Sequence, residues 1–444
     1  MRRSHIISIG SLFALTVGCS DDPAPVDAST ADVITADVIT ADVVTADVIT
    51  ADVITADVIT DLGTPDASTT DGGAAACSLG RALITTSDYV NGGYALGPIG
   101  PTPMITASGT MSPDQDHYPV ESGCIVYNLL RSTDVIAVLD PTSLPAIARR
   151  IPLRMMGTVG VDAGAPMSYS ANPYDVLTLS PTRAIVVKYA LPRLGIIDPT
   201  RDGAAGSTGS IDLTPLRAAA DTDGSPEASN ILRVGGSIFV SLQNLNNYVP
   251  VTNGSLAVIN AADLTLIDAD PATTGIQPLP LTGRNPVAMV ATPSGASIVV
   301  AEAGVVAFAA PQTLDGRIER VDPATLRVQG MSVSESALGG DVGSIVMLDE
   351  TRGWAVVARL AVGDASVGDN RVVEFNLATG AAGATIYASG SISGLARDPS
   401  GNVWVLDRTA GSAGVRVFRP NGTALTTMTL GTGALPPYGI AFVP

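Results

Sequence analysis

The chain has 444 residues, of which 46% are hydrophobic and only 4% aromatic, and its 46 Gly and 31 Pro favour many tight turns over long helices. This length suits one large all-β domain or two to three ordinary domains. The formal net charge of −18 gives a surface that repels phosphate backbones, so nucleic acid is excluded as an expected partner.

Residues 1–19 have the order of an export signal. Arg2 and Arg3 precede an apolar segment at 6–17, and small residues follow it. At about twelve residues, the apolar segment is shorter than the ~20 that a helix needs to span a bilayer. The sequence therefore predicts a cleaved signal rather than a transmembrane helix.

The residues TVGC at 16–19 resemble the lipobox of bacterial lipoproteins. This resemblance implies that Cys19 becomes an acylated N-terminus, which anchors an exported protein to the membrane through lipid. Ser20 follows the cysteine, which by the same resemblance favours the outer membrane or cell surface over the inner membrane. The alternative is an ordinary signal peptide with an incidental cysteine.

Residues 20–76 predict a disordered acidic tether. They contain twelve Asp and no Lys or Arg, and residues 30–60 repeat the unit T-A-D-V-I. A period of five matches neither a strand nor a helix, so no regular element gains a consistent apolar face. The alternative, a β-solenoid or calcium-binding array, needs several oxygens to converge on one ion, which one Asp per five residues does not supply.

From Cys77 onward the sequence repeats weakly every 43–61 residues, a period typical of propellers and solenoids. One recurring piece is a strand followed by an Asp-Pro or Asn turn, found at 135–144, 194–203, 255–264, 317–326 and 371–380. A second piece precedes it, with two strands joined by a tight turn, found at 174–190, 287–303, 343–359 and 393–408. Together the two pieces predict four short antiparallel strands per unit.

Six complete units are visible, and two unmatched ends remain. The units begin near Asp116, Asn172, Ala228, Asn285, Asp341 and Ser391. Residues 438–444 look like an isolated first strand and residues 80–109 like strands two to four, so together they predict a composite seventh unit. Such closure hides the sheet edges and fixes both ends of the domain.

This pattern resembles the YVTN-type and NHL-like seven-bladed β-propellers of bacterial surface proteins, over residues 77–444. The predicted fold is therefore all-β: a propeller of seven four-stranded blades with a composite closing blade, preceded by the tether. A β-helix or a pair of β-sandwiches is the alternative. In the exported setting we expect a disulfide between Cys77 and Cys124, with two buried free thiols as the alternative.

Three consecutive units have long loops between their second and third strands, at 243–254, 302–316 and 359–370. Long insertions on one face of a repeat array often mark its binding face. The candidate ligand-binding residues on these loops and on one inter-unit loop are Asn244, Asn246, Asn247, Tyr248, Arg284, Asn285, Glu302, Asp315, Asp364 and Asp369. The alternative is solvated loop decoration.

No catalytic constellation is visible in the sequence. His117 is the only histidine after residue 77, and a G-x-S-x-G elbow is missing. We expect no cofactor, although the carboxylates could hold a structural divalent cation. The predicted function is a lipid-anchored binding module for a protein, glycan or cell-wall ligand. A metal-assisted, lactonase-like hydrolase or lyase acting on a small exported substrate is the alternative.

Overall fold

A computed structural model describes residues 77–153, 155–156, 168–306, 313–361 and 364–444. The predicted export signal, the lipidation site Cys19 and the acidic tether all lie outside the described residues. Within the described ranges, no helix is long and apolar enough to span a membrane.

Strands make up nearly all of the regular structure. The strands before residue 220 are β1 (Arg81–Ser87), β2 (Gly92–Pro98), β3 (Ala107–Met111), β4 (His117–Ser122), β5 (Ile125–Leu130), β6 (Val135–Leu139), β7 (Ile147–Pro152), β8 (Met155–Met156), β9 (Ser168–Tyr169), β10 (Pro173–Ser180), β11 (Arg183–Lys188), β12 (Arg193–Ile197) and β13 (Ser207–Asp212). The next are β14 (Ala228–Val234), β15 (Ser237–Leu242), β16 (Leu245–Asn246), β17 (Val249–Pro250), β18 (Ser255–Asn260), β19 (Leu266–Ile267), β20 (Leu279–Pro280), β21 (Pro286–Ala291), β22 (Ile298–Glu302), β23 (Arg317–Asp322) and β24 (Arg327–Ser334). The last are β25 (Asp341–Met347), β26 (Arg352–Ala361), β27 (Asp364–Asn376), β28 (Ala381–Ser389), β29 (Ile392–Arg397), β30 (Val403–Asp407), β31 (Gly414–Phe418) and β32 (Pro437–Val443).

Within the ranges given above, helical structure is limited to short turns. These are two 3₁₀ turns, Gly203–Gly206 and Thr214–Leu216, and the single-turn helix α1, Glu335–Leu338.

The strands form seven antiparallel blades. Blades 2, 3, 5 and 6 consist of β4–β7, β10–β13, β21–β24 and β25–β28. Blade 4 contains β14, β15, β18 and β19, and β20 also pairs with β18. Two short hairpins, β8–β9 and β16–β17, lie outside these sheets. The predicted all-β propeller is confirmed.

Blade 1 is composite, as predicted. Its sheet order is β32-β1-β2-β3, so the last strand of the chain is its innermost strand. β1 and β32 pair in antiparallel register, with Arg81 opposite Val443 and Thr85 opposite Gly439. Both ends of the described domain are therefore held in one blade.

Blade 7 differs from the predicted complete unit. It has three named strands, and isolated bridges at Val415–Leu430 and Phe418–Ala424 stand where the fourth strand would lie. Gly422, which has a positive φ of 83°, lies in the turn between Phe418 and Ala424.

The core lies between the blades. Seven clusters of buried hydrophobic side chains among the described residues correspond to the seven blade–blade interfaces. Neighbouring residues of a strand alternate between two clusters: Ala82 and Ile84 face blade 7, whereas Leu83 faces blade 2. This alternation explains why the strands are apolar on both sides and why the composition is rich in Val, Ile and Ala.

Cys77 and Cys124 form a disulfide with a Cα–Cα distance of 5.5 Å, as predicted. Cys124 follows Gly123 in the β4–β5 turn, where both residues have positive φ. The bridge therefore joins the first described residue to the turn between the first two strands of blade 2.

Candidate functional site

The antiparallel order of each blade creates two distinct faces. We define the upper face as the one that carries the loops leading into the innermost strands and the loops between second and third strands. The lower face carries the short turns between first and second strands, including the turn at Cys124. All ten candidate ligand residues were predicted on the upper face.

Three tyrosines lie where innermost strands begin at the upper face. Tyr118, Tyr174 and Tyr438 each occupy the second position of an innermost strand, in blades 2, 3 and 1. The rings of Tyr118 and Tyr438 have centroids 4.4 Å apart, and the Arg131 guanidinium lies 4.1 Å from the Tyr174 ring centroid. Each of the three tyrosines is at most 3% exposed, so these rings are part of the packed core and do not present a surface.

The Asp116 carboxylate contacts both Tyr438 of this cluster and Arg131. Asp116 Oδ1 lies 3.2 Å from Arg131 Nη1 and accepts a hydrogen bond of 3.1 Å from the Tyr438 hydroxyl. Arg131 also donates from Nε to Asn172 Oδ1 at 2.9 Å. Because charged hydrogen bonds orient the guanidinium, the residues before two innermost strands are held in a fixed arrangement.

A cavity of about 300 Å³ opens beside this cluster, between blades 3 and 4. Its volume is at the lower end of the range for small-molecule sites. The lining combines aromatic rings, amides, a hydroxyl and carboxyl groups, and it consists of Asn172, Tyr189, Ala190, Asp223, Ser225, Glu227, Leu245, Asn247 and Tyr248. This composition suits a polar ligand that also offers apolar ring or C–H surface.

The wall from blade 3 is rigid. Tyr189 stacks on Tyr174 with centroids 4.3 Å apart and an interplanar angle of 16°. The Tyr189 hydroxyl donates to Gln243 Oε1 at 3.0 Å, and its carbonyl accepts a hydrogen bond of 2.9 Å from Ser225 Oγ. Tyr189 is therefore fixed by blades 3 and 4 together.

The wall from blade 4 is a two-residue hairpin. β16 and β17 pair across Asn247 and Tyr248, which have φ of 49° and 64°. Positive φ at both central residues is typical of a type I′ turn, in which Asn and Gly are favoured. A tyrosine at the second position is sterically costly, of order 1 kcal/mol or more, and such backbone strain clusters at functional sites.

Glu227 lies at the base of the cavity. It precedes β14 with a φ of 44° and accepts a 2.7 Å hydrogen bond from Leu245 N through Oε2. Burial, reinforced by the negative charges of Asp223 and Asp221, raises the pKa of Glu227 to about 9. The carboxyl is therefore protonated near neutral pH and can donate a hydrogen bond.

The pKa of Asp221 is also raised, but by less than that of Glu227. Burial, together with the neighbouring Asp223, raises the pKa of Asp221 to about 6. Its carboxylate lies 4.0 Å from Arg217 Nε and accepts hydrogen bonds from the backbone of Asp223 and Gly224. Because this pKa still lies below 7, Asp221 is mostly ionised near neutral pH.

The predicted residues of the first long loop separate into two groups. Asn247 and Tyr248 line the cavity, and Asn246 supports its rim by accepting a hydrogen bond from Thr222 N and donating one to Ala220 O. Asn244 is 2% exposed and donates to Asn253 O, so its amide lies within the loop rather than at the cavity.

Asn285 and Glu302 are placed inside the ring. Asn285 donates from Nδ2 to Gly304 O at 3.2 Å, and Glu302 accepts from Gly283 N at 3.1 Å. Both side chains are at most 1% exposed, so they hold the loop into blade 5 against the end of β22. Arg284 is exposed on that loop, whereas Asp315 is exposed and accepts from Val305 N and Thr313 Oγ1.

Asp364 and Asp369 lie on a strand instead of the predicted loop. Residues 359–361 continue β26 and residues 364–370 begin β27, and the two strands pair with Arg359 opposite Asp369 and Ala361 opposite Asp364. Backbone pairing thus extends beyond the expected end of the strands, which corrects the loop prediction. Asp369 is exposed and lies 3.9 Å from Arg371 Nε.

Sequence reasoning missed the tyrosine cluster, Tyr189 and Glu227. A signal was present: Tyr118, Tyr174 and Tyr438 follow His or Pro at equivalent positions of three units. Glu227 has no comparable signal, because its role depends on burial by a neighbouring hairpin.

Metal-ligand geometry within the described residues is confined to one group. Cys77, Glu121 and Cys124 place ligand atoms within 4.8 Å of one another, but the two cysteines form the disulfide on the lower face. His117 is fully buried among Ser112, Asn128 and Thr86, and burial lowers its pKa to about 4. This histidine is a neutral packing residue of blade 2.

No protein-family model and no curated protein matches this chain. It is similar to solved structures of Kuenenia stuttgartiensis hydrazine synthase (13% identity, TM-score 0.49, 80% of this chain and 81% of that one) and of a streptogramin B lyase (12%, 0.43, 74% and 92%). It is also similar to a functionally unknown protein from Desulfotomaculum acetoxidans (15%, 0.46, 82% and 99%). The seven-bladed assignment rests on the strand order itself.

Proposed function

We propose that the chain is a lipid-anchored, exported binding module of the cell envelope whose upper-face cavity takes a glycan. The observation that carries this proposal is Tyr248, kept at a φ of 64° in the turn that borders the cavity. Asn or Gly would fit that turn at lower cost, so we infer that the aromatic ring itself has a role at this position.

The rest of the lining supports a hydroxyl-rich ligand. Tyr248 is half-buried and offers ring surface, and an aromatic side chain combines a large apolar area with a polar edge. Asn172 and Asn247 can each both donate and accept, as sugar hydroxyls do. The protonated Glu227 adds a donor without adding a charge at neutral pH.

Replacing Tyr248 tests this proposal. Y248N is expected to weaken oligosaccharide binding at least tenfold, equivalent to about 1.4 kcal/mol, while the melting temperature stays the same or rises because the backbone strain is relieved. Binding is measured by calorimetry against oligosaccharides first identified on a glycan array. The matched control is V249A, one residue further along the same hairpin and outside the cavity lining.

Two results would contradict the proposal. One is the absence of any glycan that binds the wild-type protein, and the other is a bound glycan whose affinity Y248N leaves unchanged.

The metal-assisted hydrolase or lyase remains the second candidate. Turnover of a bound substrate that stops with a chelator and resumes with a divalent cation would establish that candidate.

Anchoring by Cys19 is the second part of the proposal. Acyl chains on that residue would bury methylenes at about 0.8 kcal/mol each, and the acidic tether would hold the propeller away from the membrane. C19A in the full-length chain is expected to move the protein from the membrane fraction to the soluble exported fraction, as measured by fractionation and immunoblotting. The control is S20A, and a C19A protein that stays with membranes would refute the anchor.

A further inference from the structure

The cavity between blades 3 and 4 is lined by acidic groups without a basic partner. Glu227 and Asp223 both border this space of about 300 Å³, and of the described residues around it none is Lys, Arg or His. Asp221, whose carboxylate accepts a hydrogen bond from Asp223 N, adds a third acidic group beside the lining. Charge complementarity therefore favours a ligand with a positive charge and disfavours an anionic one.

Two arginines contact this region, and each has an acidic partner of its own. Arg217 Nε lies 4.0 Å from Asp221 Oδ2. Arg131 pairs with Asp116 and donates from Nε to Asn172 Oδ1. Neither guanidinium belongs to the described lining. A cation inside the cavity must therefore come with the ligand.

One oxygen of Glu227 is left for such a ligand. The residue is 6% exposed, and its Oε2 accepts a 2.7 Å hydrogen bond from Leu245 N. None of the described residues donates to Oε1, and this oxygen is not among the buried atoms that protein encloses. Because Glu227 lines the cavity, Oε1 is the atom that meets the ligand there.

In the empty cavity a proton occupies this carboxyl group. Burial, followed by the negative charges of Asp223 and Asp221, raises the pKa of Glu227 to about 9. A bound cation would offset the same negative charges and favour the ionised carboxylate. A primary ammonium brings one positive charge and three hydrogen-bond donors, so it can take the place of the proton at Oε1.

We propose that the cavity takes an amino sugar with a free amine, whose ammonium contacts Glu227 and Asp223. This inference rests on the proposed glycan site and names the class of sugar that it takes. As the ammonium binds, Glu227 releases its proton to solvent, and the resulting carboxylate pairs with the ammonium. An N-acetylated sugar offers only one amide N–H and no charge, so it leaves Glu227 protonated.

Two tetramers that differ only at the amine test this proposal. Both are β-1,4-linked glucosamine, one with free amines and one fully N-acetylated, and calorimetry on the purified full-length protein measures their affinities. At pH 7 we expect the free-amine tetramer to bind about tenfold more tightly or better. Buffers of different ionisation enthalpy count the released protons, and we expect about one per bound free-amine tetramer at pH 6 and none for the acetylated one.

Proton release also fixes the pH dependence of binding. A ligand that lowers the pKa of Glu227 binds more tightly as the pH rises, so the Kd of the free-amine tetramer should fall between pH 5 and 7, approaching tenfold per pH unit. Asp221, with its pKa raised to about 6, adds to the slope over this range. The acetylated tetramer should show no such slope.

E227Q separates the contribution of Glu227 from that of Asp221. Glutamine keeps the size of the side chain and an acceptor for Leu245 N, but it cannot ionise. We expect E227Q to bind the free-amine tetramer about tenfold more weakly at pH 7, to lose most of the pH slope, and to leave binding of the acetylated tetramer unchanged. D263N is the matched control, because Asp263 is an exposed acid of blade 4 outside the lining that accepts from Thr265 N and Thr265 Oγ1.

The outcomes distinguish this inference from the glycan proposal on which it rests. Equal affinities for the two tetramers, a free-amine complex without proton release, or an E227Q protein that binds the free amine like the wild type would each overturn the amino-sugar assignment and leave the glycan site standing. Binding of neither tetramer would also overturn the assignment, and the glycan array then tests separately whether any glycan binds.

Discussion

A chain truncated before Tyr438 is expected to lose its cooperative thermal transition. The deletion removes β32, the innermost strand of blade 1, in which every residue from Pro437 to Val443 is buried. Its side chains Ile440 and Phe442 belong to the interface with blade 7, and Ala441 and Val443 to the interface with blade 2. Burial of one large apolar side chain contributes about 1.5–3 kcal/mol, so the total loss is comparable to the ~5–15 kcal/mol that stabilises a typical domain.

Circular dichroism and calorimetry measure this loss, and a peptide with the sequence of residues 437–444 provides a stringent test. Added in excess, the peptide should pair again with β1 and restore part of the transition. A deletion of equal length in the tether, residues 31–37, controls for chain length. A truncated protein with an unchanged melting temperature would show that the ring does not depend on this closure.

The composite blade was predictable because it leaves a mark in the sequence. Each unit needs four strands, and the two ends of the domain supply one and three of them. The pairing of Arg81 with Val443, and hydrogen bonds from Arg81 to the carbonyls of Pro141 and Pro444, complete what that pattern indicated. Ring closure can therefore be predicted by counting strands, because each strand is recognised from its local sequence.

The candidate site was predictable only in part. The long loop at 243–254 predicts Asn247 and Tyr248 as candidates, because an insertion in a repeat can be recognised from the sequence alone. Sequence spacing does not show that Tyr189 and Glu227 meet these residues from another blade, since contacts across blades depend on the ring geometry. The same limit applies to Glu302, which reads as an exposed loop acid and is fully buried.

Stability is expected to fall as the pH rises from about 5 to 9, the opposite of ordinary acid denaturation. Burial and the negative charge of Glu319 raise the pKa of Glu302 well above 4.5, although the positive Arg317 acts in the opposite direction. Burial also raises the pKa of Glu227, to about 9. A carboxyl whose pKa is higher in the folded state binds more protons there than in the unfolded chain. Its stabilisation is complete below the unfolded pKa and is lost as the pH rises through the folded pKa. Both groups therefore lower the free energy of unfolding as the pH rises from about 5 to 9.

Urea unfolding at pH 5, 7 and 9 measures this slope, and E302Q identifies its main source. The glutamine can accept from Gly283 N as Glu302 does and can donate to Glu319, but it cannot ionise. We therefore expect E302Q to match the wild type at pH 5 and to be the more stable of the two proteins at pH 9, because only the wild type has a carboxyl at this position that ionises. E350Q is the matched control, because Glu350 is an exposed glutamate whose carboxylate accepts from Ser294 N and Ser294 Oγ. Equal slopes for the wild type and E302Q would mean that Glu302 is ionised inside the ring, with Arg317 as the counter-ion that makes this tolerable.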